Sequence, residues 1–185
     1  IEITAVNGAV ENGSQSETIT ITEDESEPSV TLTLSHNTLS ENGGSLHVIA
    51  TLSHASTQNV LVNLGTAGIA THGVDYSLNN SLSILAGTLK DSLILTSMND
   101  TIYEGDETAT ISIASLSHGI ENGVQAEGFT LTEDEGIPTL TLSISSSSIG
   151  ENGGSAYVIA TLSHATTVAV DVGLSFSGSA STDSD

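Results

Sequence analysis

The chain of 185 residues has no cysteine and no tryptophan, and aromatic residues make up only 3% of it. Without cysteine, a disulfide framework, a thiolate metal site and a cysteine nucleophile are all excluded. No run of 18 or more apolar residues occurs, so the sequence predicts no transmembrane helix and no direct insertion into a membrane. Because aromatic side chains are scarce, any hydrophobic core has to be built from aliphatic residues.

Positive charge is almost absent as well. Lys90 is the only Lys or Arg against 23 Asp and Glu, which gives a formal net charge of −22. Such a chain cannot replace the counterions of a nucleic acid and cannot dock electrostatically onto an anionic membrane. High net charge often indicates disorder, but 37% of the residues are hydrophobic, which is enough to bury a core. We therefore expect a folded acidic protein that binds no nucleic acid.

The sequence repeats itself at an offset of 110 residues. Residues 48–55 return unchanged as 158–165, and Glu41-Asn-Gly-Gly-Ser returns as Glu151-Asn-Gly-Gly-Ser. Roughly half of the aligned positions are identical. We expect the chain to be a piece of a longer protein, because Ile1 begins inside a strand-like pattern. The predicted units are the C-terminal part of a first copy (1–27), a complete central copy (28–135) and the N-terminal part of a third copy (136–185).

Within the central copy, apolar residues recur with a period of two rather than 3.6. Val30, Leu32 and Leu34, for example, alternate with Thr, which is typical of half-buried strands. Seven such runs are predicted as strands A to G, at about 29–36, 45–53, 58–65, 80–85, 88–97, 107–117 and 125–133. Seven short strands in roughly 100 residues, with no helical stripe, predict an all-β, immunoglobulin-like sandwich.

Acidic residues are concentrated in loops that the strand order brings to one end. Consecutive strands of a sandwich usually alternate in direction, so the A–B, C–D and E–F loops and the end of strand G lie together. We call this end the exit end. Its acids are Glu41 in the first loop, Asp75 in the second, Asp100, Glu104, Asp106 and Glu107 in the third, and Glu133, Asp134 and Glu135 after strand G.

This convergence predicts a cation site. Carboxylates a few Å apart repel each other by about 1 kcal/mol per pair in water, and Lys90 alone cannot neutralise them. Ca²⁺ takes roughly six to eight oxygen ligands, including carboxylates from flexible loops. The alternative is that these acids are separate, solvated loop residues of an acidic protein.

Several motifs of the chain occur in a characteristic order. They are Glu41-Asn-Gly-Gly, Gly73-Val-Asp-Tyr, the Gly87-Thr turn, Asn99-Asp-Thr-Ile-Tyr-Glu-Gly-Asp-Glu and Glu133-Asp-Glu. With this set the chain resembles the Calx-beta domain over its whole length, as one full copy and two partial ones. The resemblance implies tandem seven-stranded Calx-beta sandwiches. That family occurs in sodium/calcium exchangers, in integrin beta-4 and as tandem arrays in large bacterial surface proteins.

The resemblance also implies a set of calcium ligands. By position they are Glu41, Asp75, Asp100, Glu104, Glu107, Glu133, Asp134 and Glu135. Two departures imply fewer ions or weaker binding: Asn99-Asp100 stands where calcium-binding members often have two adjacent Asp, and strand G ends in Glu-Asp-Glu rather than a run of Asp. Outside the central copy, only parts of a site are expected, from Glu23, Asp24 and Glu25 and from Glu151 and Asp185.

No catalytic constellation is visible, and we predict that the chain is not an enzyme. The six His show no zinc-ligand spacing, and the motifs of hydrolases and phosphate-binding loops are missing. His54 and His164 recur at the B–C turn, where packing of the turn is the expected role.

The leading hypothesis is a calcium-binding structural and adhesive module of a long extracellular stalk or fibre, in a secreted or cell-surface bacterial protein. Near-identical repeats favour it, because an array that only needs length tolerates copying. The expected partners are neighbouring Calx-beta repeats of the same chain, with lateral or end-to-end self-association into fibres as a further possibility. The alternatives are a calcium-sensing module of a membrane exchanger and an accessory domain of a secreted enzyme.

Overall fold

The computed structural model describes residues 1–22 and 24–180. All regular secondary structure in this part of the chain is β, which confirms the predicted all-β class. No helix that is long and apolar enough to cross a membrane is found among the described residues. The strands are β1 (Ser29–Leu34), β2 (Thr38–Ser40), β3 (Ser45–Leu52), β4 (Val60–Gly68), β5 (Tyr76–Ser77), β6 (Ser81–Ile84), β7 (Lys90–Ser97), β8 (Glu107–Ser117), β9 (Ile120–Glu121), β10 (Ala126–Thr132), β11 (Leu140–Ile144) and β12 (Val158–Leu162).

The central copy forms a sandwich of two five-stranded sheets. One has the order β5-β7-β3-β1-β9 and the other the order β2-β10-β8-β4-β6. The seven predicted strands A to G correspond to β1, β3, β4, β6, β7, β8 and β10. The E–F loop is therefore residues 98–106, and the B–C turn is residues 53–59, or 163–169 by the same offset in the third copy.

Strand A ends two residues earlier than predicted, and the chain then crosses to the other sheet. β1 ends at Leu34 and pairs antiparallel with β3, whereas β2 pairs in parallel with β10, with Leu39 opposite Leu131. Pairing between β2 and β10 places the residue after Ser40 beside the end of strand G. Glu41 is thereby brought next to the acids that follow β10.

The core lies between the two sheets and is mainly aliphatic, as the composition predicts. Strand β3 alternates between buried and outward-facing residues along its whole length, so its inner side chains pack against the opposite sheet. Burying one Val, Leu or Ile side chain contributes about 1.5–3 kcal/mol. The two aromatic residues of this core, Tyr76 and Phe129, pack edge to face with 5.3 Å between ring centroids.

Two strands of the central copy are too short for sequence alternation to reveal them. β5 adds Tyr76 and Ser77 to the edge of β7, and β9 pairs in parallel with β1 inside the F–G loop. Each has two residues, whereas a period of two becomes visible only over about four residues or more. These short pairings extend the first sheet at both edges.

The flanking copies repeat the pairing of the central copy without its burial. β11 pairs with β12 in the register of β1 with β3, so Leu140 lies opposite Leu162. Leu142 is 53% exposed, whereas its counterpart Leu32 is 0% exposed, because no second sheet covers β11 among the described residues. The proposed copy boundaries stay a prediction. Glu23 and Asp185, which were expected to contribute to partial sites, lie outside the described residues.

Candidate metal centre

The turn that follows Glu41 fixes the direction of this acid. The Glu41 amide donates to the Thr132 carbonyl oxygen at 3.0 Å, which ties the turn to the end of β10. Gly43 has a φ of 74°, in the left-handed region that favours glycine. A Cβ on Gly44 would lie 2.4 Å from the Ser40 carbonyl oxygen. The Glu-Asn-Gly-Gly motif is therefore explained by backbone geometry that holds Glu41 at the exit end.

Four acids form the first cluster: Glu41, Glu133, Asp134 and Glu135. A carboxylate oxygen from each lies within 4.8 Å of those of the other three. Glu41 is only 4% exposed, and Oε2 of Glu135 is buried without a hydrogen-bond partner. An unpartnered buried carboxylate oxygen carries a free-energy penalty of desolvation. A cation bound to this oxygen would remove that penalty.

Three acids form the second cluster: Asp75, Glu104 and Glu107. Their carboxylate oxygens also lie within 4.8 Å of one another. Asp75 is 7% exposed, and its Oδ2 accepts the Thr71 amide at 2.6 Å. Oε2 of Glu107 is buried and has no hydrogen-bond partner. Each cluster thus contains one orphaned carboxylate oxygen.

Glu133 differs from the other acids because backbone amides occupy both of its oxygens. Oε2 accepts the amides of Glu104 and Gly105 at 2.5 and 2.7 Å, and Oε1 accepts those of Asp134 and Glu135 at 3.1 and 3.0 Å. Burial opposes ionisation, but these amide bonds outweigh it and lower the pKa of Glu133 to about 2. Glu133 therefore anchors the E–F loop to the end of strand G.

Asp106 is an exit-end acid that the predicted ligand set does not include. Oδ1 of Asp106 accepts the amide of Glu133 at 3.0 Å. The Asp106 carboxylate thus accepts an amide from the end of strand G, and the Glu133 carboxylate accepts amides from the E–F loop, so each side chain holds the other's segment. Spacing along the chain carried no signal of this role, because the two residues are brought together by the pairing of β8 with β10.

The remaining acids are hard to ionise together. Burial, followed by the charges of Glu133 and Glu135, raises the pKa of Glu41 to about 7. Burial, followed by the charge of Asp75, raises the pKa of Glu107 to about 7. Asp75 and Glu107 lie close together in the second cluster, and carboxylates this close disfavour each other's ionisation. Near neutral pH, each cluster requires either protons or a cation.

Asp100 is the one predicted ligand that belongs to neither cluster. Its Oδ1 accepts the Ile102 amide at 2.7 Å inside the E–F loop. Its charge nevertheless reaches both clusters, because it adds to burial and to nearer acids in raising the pKa values of Glu41 and Glu104. The structure therefore brings seven of the eight predicted residues into two clusters and leaves the eighth beside them.

The donor set fits a hard divalent cation. Both clusters consist of carboxylates, and oxygen ligands of this kind suit Ca²⁺ or Mg²⁺ rather than softer metals. Lys90 begins β7 at the end of that strand away from the E–F loop, roughly 25 Å distant for eight extended residues. It cannot neutralise the exit end.

Comparison with known proteins gives a match in fold only. No protein-family model matches the chain, and no curated protein matches it. Three solved structures are similar: the apo form of the Calx CBD1 domain, CBD12 from CALX1.2, and the calcium binding domain CBD12 of CALX1.1. Their identities are 21%, 21% and 23%, and their TM-scores are 0.49, 0.50 and 0.47.

The matches cover a little over half of this chain. They span 57%, 58% and 54% of it, and 98%, 44% and 42% of the respective neighbours, so the chain spans less than half the length of the two CBD12 structures. The likeness to CBD12 from CALX1.2, at 21% identity and a TM-score of 0.50, is evidence of fold and not of function. Together with the strand order above, it shows that this chain has a Calx-beta-like sandwich fold.

Proposed function

We propose that the chain is a calcium-binding module whose central copy holds Ca²⁺ at the exit end. One observation carries this proposal: seven carboxylates lie in two tight clusters, and each cluster contains a buried oxygen with no hydrogen-bond partner. Solvated loop acids, the alternative reading, have no reason to converge or to bury their oxygens. The presence of Asp75 at 7% exposure and Glu41 at 4% argues against that alternative.

The residues of the two clusters have different roles in the proposed sites. Glu41, Asp134 and Glu135 would hold a cation in the first cluster, and Asp75, Glu104 and Glu107 would hold one in the second. Glu133 positions the E–F loop between them, because its oxygens already accept four amides. A bound cation supplies positive charge that offsets the repulsion among the acids. It links loops from both sheets and so stabilises the folded state.

Calcium binding should appear as a stability increase that depends on these carboxylates. At 1 mM Ca²⁺ and a Kd of about 10⁻⁴–10⁻³ M, binding contributes about 0.4–1.4 kcal/mol per site. Glu104→Gln combined with Glu107→Gln should remove the second cluster's share of this increase. Glu127→Gln is the matched control, since Glu127 lies near the start of β10, away from the exit end.

Melting curves of the full 185-residue chain in Ca²⁺, in Mg²⁺ and in a chelator, together with calorimetric titration, measure these effects. We expect a higher Tm in Ca²⁺ for the parent and for the Glu127 variant. A Tm that is the same in Ca²⁺ and in chelator, with no heat of binding, would refute the calcium site.

For the biological role we propose a structural module of an extracellular stalk or fibre, without catalytic activity. Support comes from the near-identical copies and from the short linker between them, in which Gly136, Ile137 and Pro138 leave little slack. The alternative role is a calcium-sensing module of a membrane exchanger. The complete gene sequence distinguishes them: many further copies support the stalk, and transmembrane helices support the exchanger.

A further inference from the structure

The E–F loop of the central copy is hydrogen-bonded to the third copy. The Tyr103 amide donates to the Ala165 carbonyl oxygen at 3.1 Å, and the Thr167 amide donates to the Tyr103 carbonyl oxygen at 3.2 Å. These bonds form a parallel β-bridge between Tyr103 and Thr166. The Thr166 hydroxyl also donates to the Tyr103 carbonyl oxygen, at 2.7 Å. Three hydrogen bonds therefore join the E–F loop to the B–C turn of the next copy.

The linker provides a second attachment to the same turn. His164 Nε2 lies 2.7 Å from the Gly136 carbonyl oxygen, and it must donate because a carbonyl only accepts. His54 makes the equivalent contact with the Ser26 carbonyl oxygen at 3.0 Å. This linker contact is thus present at both ends of the central copy. Because the linker and Tyr103 both hold the turn 163–169, the third copy is attached at two points, which restricts its rotation.

The central copy carries the same surface in the same conformation. In both copies the hydroxyl of the middle residue, Ser56 or Thr166, accepts the amide two positions later, at 3.0 and 2.9 Å. The Ala55 carbonyl and the Thr57 amide are the counterparts of the two backbone groups that bond Tyr103. Neither has a hydrogen bond within the described part of the chain. The turn therefore takes this shape without an occupant.

The docked loop also carries an acid of the second cluster. Glu104 follows Tyr103 directly and lies with Asp75 and Glu107. The residue that bonds to the third copy is thus the direct chain neighbour of a carboxylate of the second cluster. The contact between copies and the candidate metal centre share one loop.

We propose that the B–C turn of each copy is the docking surface for the E–F loop of the copy before it, and that docking and calcium binding at the second cluster favour each other. The occupant is an extended Tyr-Glu segment of another copy, so residues 55–57 should accept the same segment. The calcium half of this inference rests on the proposed function, whereas the docking half stands on the Tyr103 contacts alone. Thermodynamic linkage requires that docking change the calcium affinity by the same factor by which bound calcium changes the docking equilibrium constant.

Distances between the two copies test the docking half. Because the chain has no cysteine, Thr51→Cys and Thr161→Cys place two spin labels on exposed strand positions of the central and third copies. We expect a narrow distance distribution for the full chain. Thr167→Pro removes the amide that donates to Tyr103, and Thr166→Ala removes the hydroxyl that donates to it. Both variants should therefore broaden the distance distribution. The matched controls Thr57→Pro and Ser56→Ala change the unoccupied turn and should leave it unchanged. Equal distributions for all five proteins would overturn the docking proposal.

Calcium titration of the same proteins tests the linkage. We expect Thr166→Ala and Thr167→Pro to weaken calcium binding roughly fivefold, the lower range of allosteric coupling, and the two controls to keep the parent affinity. An unchanged affinity in variants whose distance distribution has broadened would overturn the linkage while leaving docking in place. If the parent chain binds no calcium at all, the proposed function fails, and the spin-label distances still decide whether the E–F loop docks.

Discussion

Replacing Glu41 with Gln should stabilise the folded chain when calcium is removed. The side chain is 4% exposed and lies within 4.8 Å of three other acids, while Gln has nearly the same shape and no charge. At that separation each pair of charges repels by about 1 kcal/mol in water. Because the pKa of Glu41 is raised to about 7, the full effect requires a pH near 8, where this carboxyl group is ionised.

The expected gain is about 1–2 kcal/mol at pH 8 in chelator, since salt and solvent screen part of the repulsion by three neighbours. For a sandwich of about 100 residues this corresponds to a Tm increase of roughly 4–8 °C. In 1 mM Ca²⁺ the Tm advantage of Glu41→Gln over the parent should become smaller or change sign. The parent then gains about 0.4–1.4 kcal/mol from a site in the first cluster, and the variant loses the Glu41 ligand.

Thermal unfolding of the parent, of Glu41→Gln and of the control Glu127→Gln measures both effects. The informative quantity is the difference in Tm between Ca²⁺ and chelator for each protein. A lower Tm of Glu41→Gln in chelator would show that repulsion is not the dominant energy at this site. A calcium-induced shift equal to that of the parent would show that Glu41 is not a ligand.

Three further predictions follow from the same geometry. Glu133→Gln should lower the Tm in chelator, because it weakens hydrogen bonds from four amides. This change is opposite in sign to the one expected for Glu41→Gln, and calorimetric unfolding of the two variants side by side checks the difference in sign. Without divalent cations, stability should fall as the pH rises from 4.5 to above 7, since the raised pKa values of Glu41 and Glu107, about 7, mean that the folded state binds more protons than the unfolded state there. A Tm that rises steadily from pH 4.5 to 8 in chelator would contradict these two raised pKa values. Glu133, with its pKa lowered to about 2, stabilises the fold above pH 4.5 and loses this contribution as the pH falls towards 2. Gly44→Ala should destabilise the fold by about 1–3 kcal/mol, because its Cβ would meet the Ser40 carbonyl oxygen. Gly136→Ala, with open space around its Cβ, should have little effect. Chemical denaturation with urea compares the free energies of unfolding of the two variants.

The sheet layout could be predicted because it depends on patterns that are local in sequence. Alternation of apolar and polar residues located all seven main strands, and alternating strand direction placed the acid-bearing loops at one end. The change of sheet between β1 and β2 was missed. Nothing in the alternation of Val30 to Leu34 marks it, since Leu39 is buried whichever sheet it joins.

The identities of the clustered acids were accessible from the sequence, but their division of roles was not. Glu133 and Glu135 look alike in the motif, yet four amides surround one of them and the other has a buried oxygen without a partner. Whether a carboxylate meets amides or other acids depends on how the E–F loop folds back onto β10. The contact of Tyr103 with Thr166 could not be predicted either, because it joins residues 63 positions apart and two of its three hydrogen bonds use backbone groups that every sequence possesses.

The parallel pairing of β2 with β10 has a mechanical consequence. When a chain is pulled at residues 28 and 135, β2 and β10 are drawn past each other along their length. The three residue pairs between them, Thr38 with Thr130, Leu39 with Leu131 and Ser40 with Thr132, are then loaded simultaneously in shear rather than opened one after another. The first acidic cluster spans the same two strands at their ends, so a cation held there would have to be released before the strands could slide. Tensile strength and cation binding would thus reside at one place in the sandwich.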